Sequence, residues 1–148
     1  MNKSIAAKFI YFYVASVLKK KYNIKKKKMK QAVLSLSGSS SPVLLQVELP
    51  VMRQDQCAEI YSRNSASYRN PIRITSSQMC AGGVNAQDSC EGDSGGPLIF
   101  KGEVNLRPRF VQYGIVSFGP RSCGVKGFPG VYTKVAVYVD WILSVMRP

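Results

Sequence analysis

Between Asp88 and Leu98 the chain reads Asp-Ser-Cys-Glu-Gly-Asp-Ser-Gly-Gly-Pro-Leu, and this stretch excludes more folds than any other. Ser94 sits among glycines, with Asp93 before it and Cys90 four residues upstream. Glycine adopts positive φ at little cost and lets backbone amides come close to a ligand. After the serine come Gly95-Gly96-Pro97 and then the apolar run Leu98-Ile99-Phe100. Two glycines and a proline do not open a helix well, and the short apolar run reads as a buried strand. The serine therefore belongs to a bend that feeds a strand.

That placement bears on the chemistry. A serine hydroxyl exposed in such a bend can attack a carbonyl carbon if a base takes its proton. Neighbouring amides can hold the oxygen that becomes negative. Gly92-x-Ser94-x-Gly96 also fits the nucleophile elbow of α/β-hydrolases, but that elbow requires a helix straight after the serine. An ordinary glycine-rich turn is the remaining alternative.

The rest of the chain reads mostly as short strands. Val43, Leu45, Val47, Leu49 and Val51 alternate with other residues, as on a strand with one buried face, and Pro50 suggests an edge or a strand end. Gln54–Arg63 reads as a short helix with Asp55 near its start and Cys57, Ile60 and Tyr61 on one side. Ser62–Pro71 reads as a polar loop, and Met79–Ala81 as a strand ended by Gly82-Gly83. Leu98–Phe100 and Phe110–Ser117 read as strands joined across Lys101–Arg109, and Val131–Val135 as another. Val137, Trp141 and Val145, with Tyr138 and Ile142 beside them, have helical spacing, so an amphipathic helix is expected at the end. Trp141 and Tyr132 are expected in the core. Short strands with turn signals between them point to an all-β antiparallel barrel.

The formal charge of +13 would suggest nucleic acid or a membrane, but it is unevenly spread. Residues 1–34 carry 10 of the 21 basic side chains and none of the 8 acidic ones, leaving the remainder at +3. There the arginines are scattered without interleaved aromatics, so no nucleic-acid partner is expected. Phe9–Leu18 is apolar over 10 residues, which suits a signal-peptide core and is too short to span a membrane. Lysines follow at once, without a clean cleavage site. The bias toward Lys, Asn, Ile, Tyr and Phe also fits translated A/T-rich non-coding DNA. The segment is read as such an artefact or a poor signal peptide, ahead of a membrane-surface helix. Ser35–Ser41 is a serine-rich connector, and the domain boundary is drawn between residues 37 and 38.

Four cysteines, Cys57, Cys80, Cys90 and Cys123, allow three disulfide pairings. Zinc is the competing reading, but no C-x₂-C pair and no histidine is present, so no metal is expected. Disulfides imply an oxidising compartment.

The Asp88–Leu98 string resembles the active-site serine loop of chymotrypsin/trypsin-type serine proteases. Met79-Cys80-Ala81-Gly82-Gly83, Gly114-Ile115-Val116-Ser117-Phe118-Gly119, Pro129-Gly130-Val131-Tyr132-Thr133-Lys134-Val135 and Asp140-Trp141-Ile142 follow the family's order and spacing. Phe118-Gly119-Pro120 with Cys123-Gly124 is most similar to arthropod clip-domain proteases. The resemblance runs from about Gly38 to Pro148 and covers the second half of such a domain. It implies a single Greek-key barrel, the second of a double-barrel fold, with a short internal helix and a C-terminal helix. It implies a secreted, cofactor-free endopeptidase with disulfides Cys57–Cys80 and Cys90–Cys123.

The resemblance assigns roles residue by residue. Ser94 matches the nucleophile, and the amides of Gly92 and Ser94 match the oxyanion hole. Asp88 matches the floor of the specificity pocket, where it would pair with Arg or Lys of a protein substrate. Gly119 and Gly130 match the pocket walls. Ser117, Phe118 and Gly119 match the strip that pairs with a substrate strand. Phe118 stands where the family usually has Trp, keeping an apolar wall without the indole donor. Asp93 matches the acid that receives a new N-terminal amine on activation. That amine lies in the other half, so an unpaired Asp93 and a relaxed, zymogen-like loop are expected.

The family's base and its orienting acid, the reference case for such triads, come from the first barrel. The chain contains no histidine. On this reading it needs the missing barrel as a partner and is inactive alone. The alternative is a non-catalytic homologue acting as a binding or cofactor module. A serpin-type inhibitor is a further implied partner, and no membrane partner is expected.

Overall fold

The computed structural model describes residues 28–36, 39–64, 71–84, 87–104 and 107–146. Six strands form a closed antiparallel barrel: β1 (Lys28–Leu36), β2 (Ser39–Met52), β3 (Gln78–Ala81), β4 (Pro97–Val104), β5 (Arg107–Phe118) and β6 (Gly130–Lys134). Their order around the barrel is β1-β2-β3-β6-β5-β4. The chain thus runs along one arc through β3, then returns through β4, β5 and β6, with β6 against β3 and β4 against β1. This is the antiparallel barrel that the short, punctuated runs imply.

β2 carries the alternation expected of it. Val47 and Leu49 are buried, and Leu45 and Val51 are half-buried. They join Met79, Ala81, Leu98, Val116 and Tyr132 in the barrel core. At about 25 cal/mol per Å² of apolar surface removed from water, each such side chain contributes roughly 1.5–3 kcal/mol. Pro50 lies near the end of β2, opposite Lys28 at the start of β1, and its carbonyl accepts the Gly82 N–H at 3.0 Å.

Three placements differ from expectation. Lys28–Leu36, read as part of the basic tail, is a barrel strand paired with β2 and β4, ahead of the boundary drawn at residue 37. Strand pairing is a backbone property, and the lysines there carry no period-2 apolar signal. The serine-rich connector is the tip of the β1–β2 hairpin, with Leu36 opposite Ser39. The Lys101–Arg109 link is mostly strand: β4 and β5 extend toward each other as a ribbon ending at Val104 opposite Arg107. The apolar stretch Phe9–Leu18 and residues 65–70 of the polar loop lie outside the described residues.

Helix α1 (Gln54–Arg63) packs Cys57 and Tyr61 inward. With Cys80 and Val131 they form a second cluster that also takes in Phe118 and Phe128. No side chain caps its start; Asp55 sits in the first turn and pairs with Arg53. A 3-10 turn (Val135–Val137) leads into helix α2 (Val139–Val145). Val139 is its buried residue, whereas Val137, Tyr138, Trp141 and Val145 are exposed. Trp141, 63% exposed, therefore does not sit in the core, while Tyr132 does. Helical spacing identifies an apolar face but not what covers it.

Candidate active site

The link from β3 to β4, residues 82–96, carries the serine loop. Gly82 (φ 87°) and Gly83 (φ 74°) turn the chain out of β3. A Cβ on Gly83 would lie 2.9 Å from the carbonyl carbon of Phe128, so only glycine lets the segment before β6 approach this closely. Gly127 donates to the Gly83 carbonyl across that contact at 2.7 Å. The two glycines were read from sequence only as a strand end; their part in bringing the pocket walls together depends on a contact far along the chain.

The bend around Ser94 is held by its own backbone. Asp93 N–H donates to Cys90 O at 3.0 Å and Gly96 N–H to Asp93 O at 2.9 Å. The loop is then tied to β5 in both directions: Gly95 N–H donates to Val116 O at 3.0 Å, and Val116 N–H to Gly96 O at 2.9 Å. These bonds occupy the amides of residues 93, 95 and 96. Among the described residues, the amides of Gly92 and Ser94 have no hydrogen-bond acceptor. Gly92 has φ 95° and open space where a Cβ would stand. Ser94 is exposed.

Asp93 is 3% exposed and accepts the Cys90 N–H at Oδ2, 2.8 Å away. The loop thus folds back to supply this carboxylate with a backbone donor.

Ser94 lines a cavity of about 350 Å³ together with Ser117, Phe118 and Gly119. Cys90 and Cys123 also line it, and their disulfide joins the serine loop to the facing segment, with Cα atoms 5.3 Å apart. The second disulfide, Cys57–Cys80, fastens α1 to β3. Of the three possible pairings the structure forms the pair that the resemblance implied. Between Val116 and Phe118 the β5–β6 register shifts, and Ser117 is left exposed at the bulge. Phe118 stacks edge-on to Tyr61 with ring centroids 5.7 Å apart, so α1 supports the pocket wall from behind.

Asp88, 7% exposed, does not itself line this cavity but sits next to Ser89 and Gly119, which do. A Cβ on Gly130 would come within 2.6 Å of its Oδ1, and one on Gly119 within 3.8 Å of its Oδ2. Side chains at these two positions would fill the space over the carboxylate. Oδ1 accepts the Ser89 N–H at 2.7 Å. Oδ2 is buried with no hydrogen-bond partner among the described residues. Burial pushes the Asp88 carboxyl up to about 6, the nearby Asp93 charge adds to this, and hydrogen bonds from Ser89 and Gly130 oppose it. An orphaned, desolvated carboxylate oxygen is costly unless a cation meets it.

Sequence reading missed Ser89. It lines the cavity, and its hydroxyl lies 3.4 Å from Asp88 Oδ1 and 3.2 Å from the Tyr132 hydroxyl. Burial raises the Tyr132 phenol well above the usual tyrosine range, so it stays neutral as a hydrogen-bonding partner. Glu91, Pro120 and Arg121 also line the cavity, and nothing in their local sequence announced it.

A trypsin family model matches residues 19–142. The chain belongs to the trypsin family. The match begins ahead of Gly38 and takes in β1. Among curated relatives, CLIP domain-containing serine protease HP8 of Bombyx mori is 43% identical over 106 residues. The match spans 72% of this chain and 27% of the relative. CLIP domain-containing serine protease B4 of Anopheles gambiae is 46% identical over 106 residues, again 72% and 27%. Melanization protease 1 of Drosophila melanogaster is 41% identical over 108 residues, 73% and 26%. The chain thus spans about a quarter of the length of these relatives. Among the described residues no helix is long and apolar enough to cross a membrane, and no group of metal-ligating side chains is present.

Proposed function

We propose that these residues form the second barrel of a secreted trypsin-like endopeptidase that cleaves after Arg or Lys. The observation that carries the reading is the buried, unpartnered Asp88 Oδ2 beside Ser89 and Gly119, which line a cavity together with the exposed Ser94. A substrate guanidinium or ammonium would enter past Gly119, meet Asp88, and present the following carbonyl to the Ser94 hydroxyl. The amides of Gly92 and Ser94 would receive the developing oxyanion. Ser117–Gly119 would pair with the substrate backbone.

The 148 residues hold no histidine. On this proposal the general base and its orienting acid belong to a first barrel outside these residues, and the chain by itself binds the cation without turnover. The missing histidine equally favours a second reading, a non-catalytic homologue that serves as a binding module. Retention of both Ser94 and Asp88 weighs for the peptidase.

The test is binding of a fluorescent aryl amidine to the oxidised full chain. Saturable binding is expected, weakened at least tenfold by Asp88→Asn and unchanged by Ser94→Ala. Equal binding by the Asp88→Asn chain, with both disulfides intact, would remove the basis for the Arg/Lys specificity.

A further inference from the structure

The basic character of this chain is not used by the peptidase reading, and the fold gathers part of it at one place. β4 and β5 continue past the barrel as a two-stranded ribbon, and Arg107–Phe110 are all exposed. Register puts Arg109 opposite Gly102, Arg107 opposite Val104, and Lys101 opposite Phe110. Lys101 and the two arginines therefore occupy opposite faces of the ribbon. β1 runs alongside β4, with Lys30 opposite Ile99.

Three cationic positions, Lys101, Arg107 and Arg109, thus share the ribbon with Glu103. Lys101, Arg107 and Arg109 make no ion pair among the described residues. Arg107, at the end of the ribbon, lies ten residues along β5 from Ser117, roughly 33 Å at ~3.3 Å per residue. A polymer held here would leave the Ser94 cavity open.

We infer that the β4–β5 ribbon forms a docking surface for a linear sulfated polysaccharide. Charge complementarity requires a polyanion. Cations on both faces of a narrow ribbon suit a flexible chain that wraps it, whereas a flat bilayer meets one face only. Interleaved aromatics, which would stack on nucleobases, are represented by Phe110 alone. Two disulfides place the protein in an oxidising compartment, where sulfated polysaccharides are the abundant linear polyanions. The inference is independent of Ser94 and Asp88.

The experiment measures binding of the full chain to heparin, to phosphatidylserine vesicles and to duplex DNA at 0.15 M salt. Heparin is expected to bind tightest, with affinity falling steeply as salt rises. Arg107→Glu/Arg109→Glu is expected to weaken it at least tenfold. Arg73→Glu/Lys126→Glu, an equal charge change elsewhere on the surface, is expected to weaken it less than threefold. Equal weakening by both pairs, or tighter binding to vesicles or DNA, would overturn the inference. Should the first pair fail to fold, amine labelling of Lys101 in the unaltered chain decides. Protection of Lys101 by heparin, with Lys126 unprotected, supports the site, and equal labelling refutes it.

Discussion

Asp88 is the residue on which the pocket turns, and its titration has two consequences of opposite sign. Its folded-state pKa, about 6, stands above the unfolded value near 3.8 because burial penalises the charged form. The folded chain therefore holds the proton more tightly than the unfolded chain. The stability this contributes is present in full below about pH 4 and is lost as pH rises to about 6, of order 3 kcal/mol in all. Asp88→Asn is expected to flatten the chemical-denaturation midpoint over that window. Binding of the amidine probe should run the other way and tighten as pH rises through 6, because the cation needs the ionised carboxylate. A probe affinity flat from pH 4.5 to 7.5 would contradict the assignment. Gly130→Ala sets a second expectation at this scale. Its Cβ would stand 2.6 Å from Asp88 Oδ1 and 3.1 Å from Ser89 Oγ. Neither neighbour is a flexible chain end, so probe binding should fall at least tenfold, read by the same titration.

Among the elements, α1 matters out of proportion to its length. It is tied to the barrel by the Cys57–Cys80 disulfide and by the Tyr61 hydroxyl, which donates to the buried Pro129 carbonyl at 2.8 Å. Tyr61 also packs edge-on to Phe118 and Phe128, with centroids 5.7 and 4.8 Å apart. Pro129 precedes Gly130, so one side chain braces both the pocket wall and the segment over its floor. Tyr61→Phe keeps the rings and removes the donor, leaving a buried carbonyl short of a partner. A loss of about 1–3 kcal/mol is expected in urea unfolding, with the disulfides intact. A change below 0.5 kcal/mol would mean that the bond carries little.

At the scale of the whole molecule, the barrel sets Ser94 on a cavity near Asp88, and the 148 residues contain no histidine. A serine hydroxyl without its base is a weak nucleophile, and loss of such a base costs on the order of 10⁶-fold in turnover. The 148-residue chain is expected to show no Ser94-dependent hydrolysis of Arg or Lys esters and amides. Turnover abolished by Ser94→Ala would contradict this. The exposed apolar residues of α2 and the turn before it, Val137, Tyr138, Trp141 and Val145, fit a barrel that offers a face for burial elsewhere.

What could be read directly from the residues was local chemistry. Gly95-Gly96-Pro97 forbade a helix after Ser94, the odd positions of β2 announced a buried face, and the span of α1 followed from its own pattern. These features depend on neighbours a few residues apart, where sterics and periodicity act. The pairing of β1 did not follow, because strand partners are chosen by backbone register and a lysine run masks any alternation. Nor did the outward face of Trp141, which depends on what packs against α2. The part of Ser89 and of Gly83 in the pocket was hidden for the same reason. Ser89 meets Tyr132 and Gly83 meets Phe128 only after the barrel closes. Tertiary contact alone buried Asp88 and left its Oδ2 with no hydrogen-bond partner among the described residues, because the neighbouring Ser89 N–H reaches Oδ1 instead.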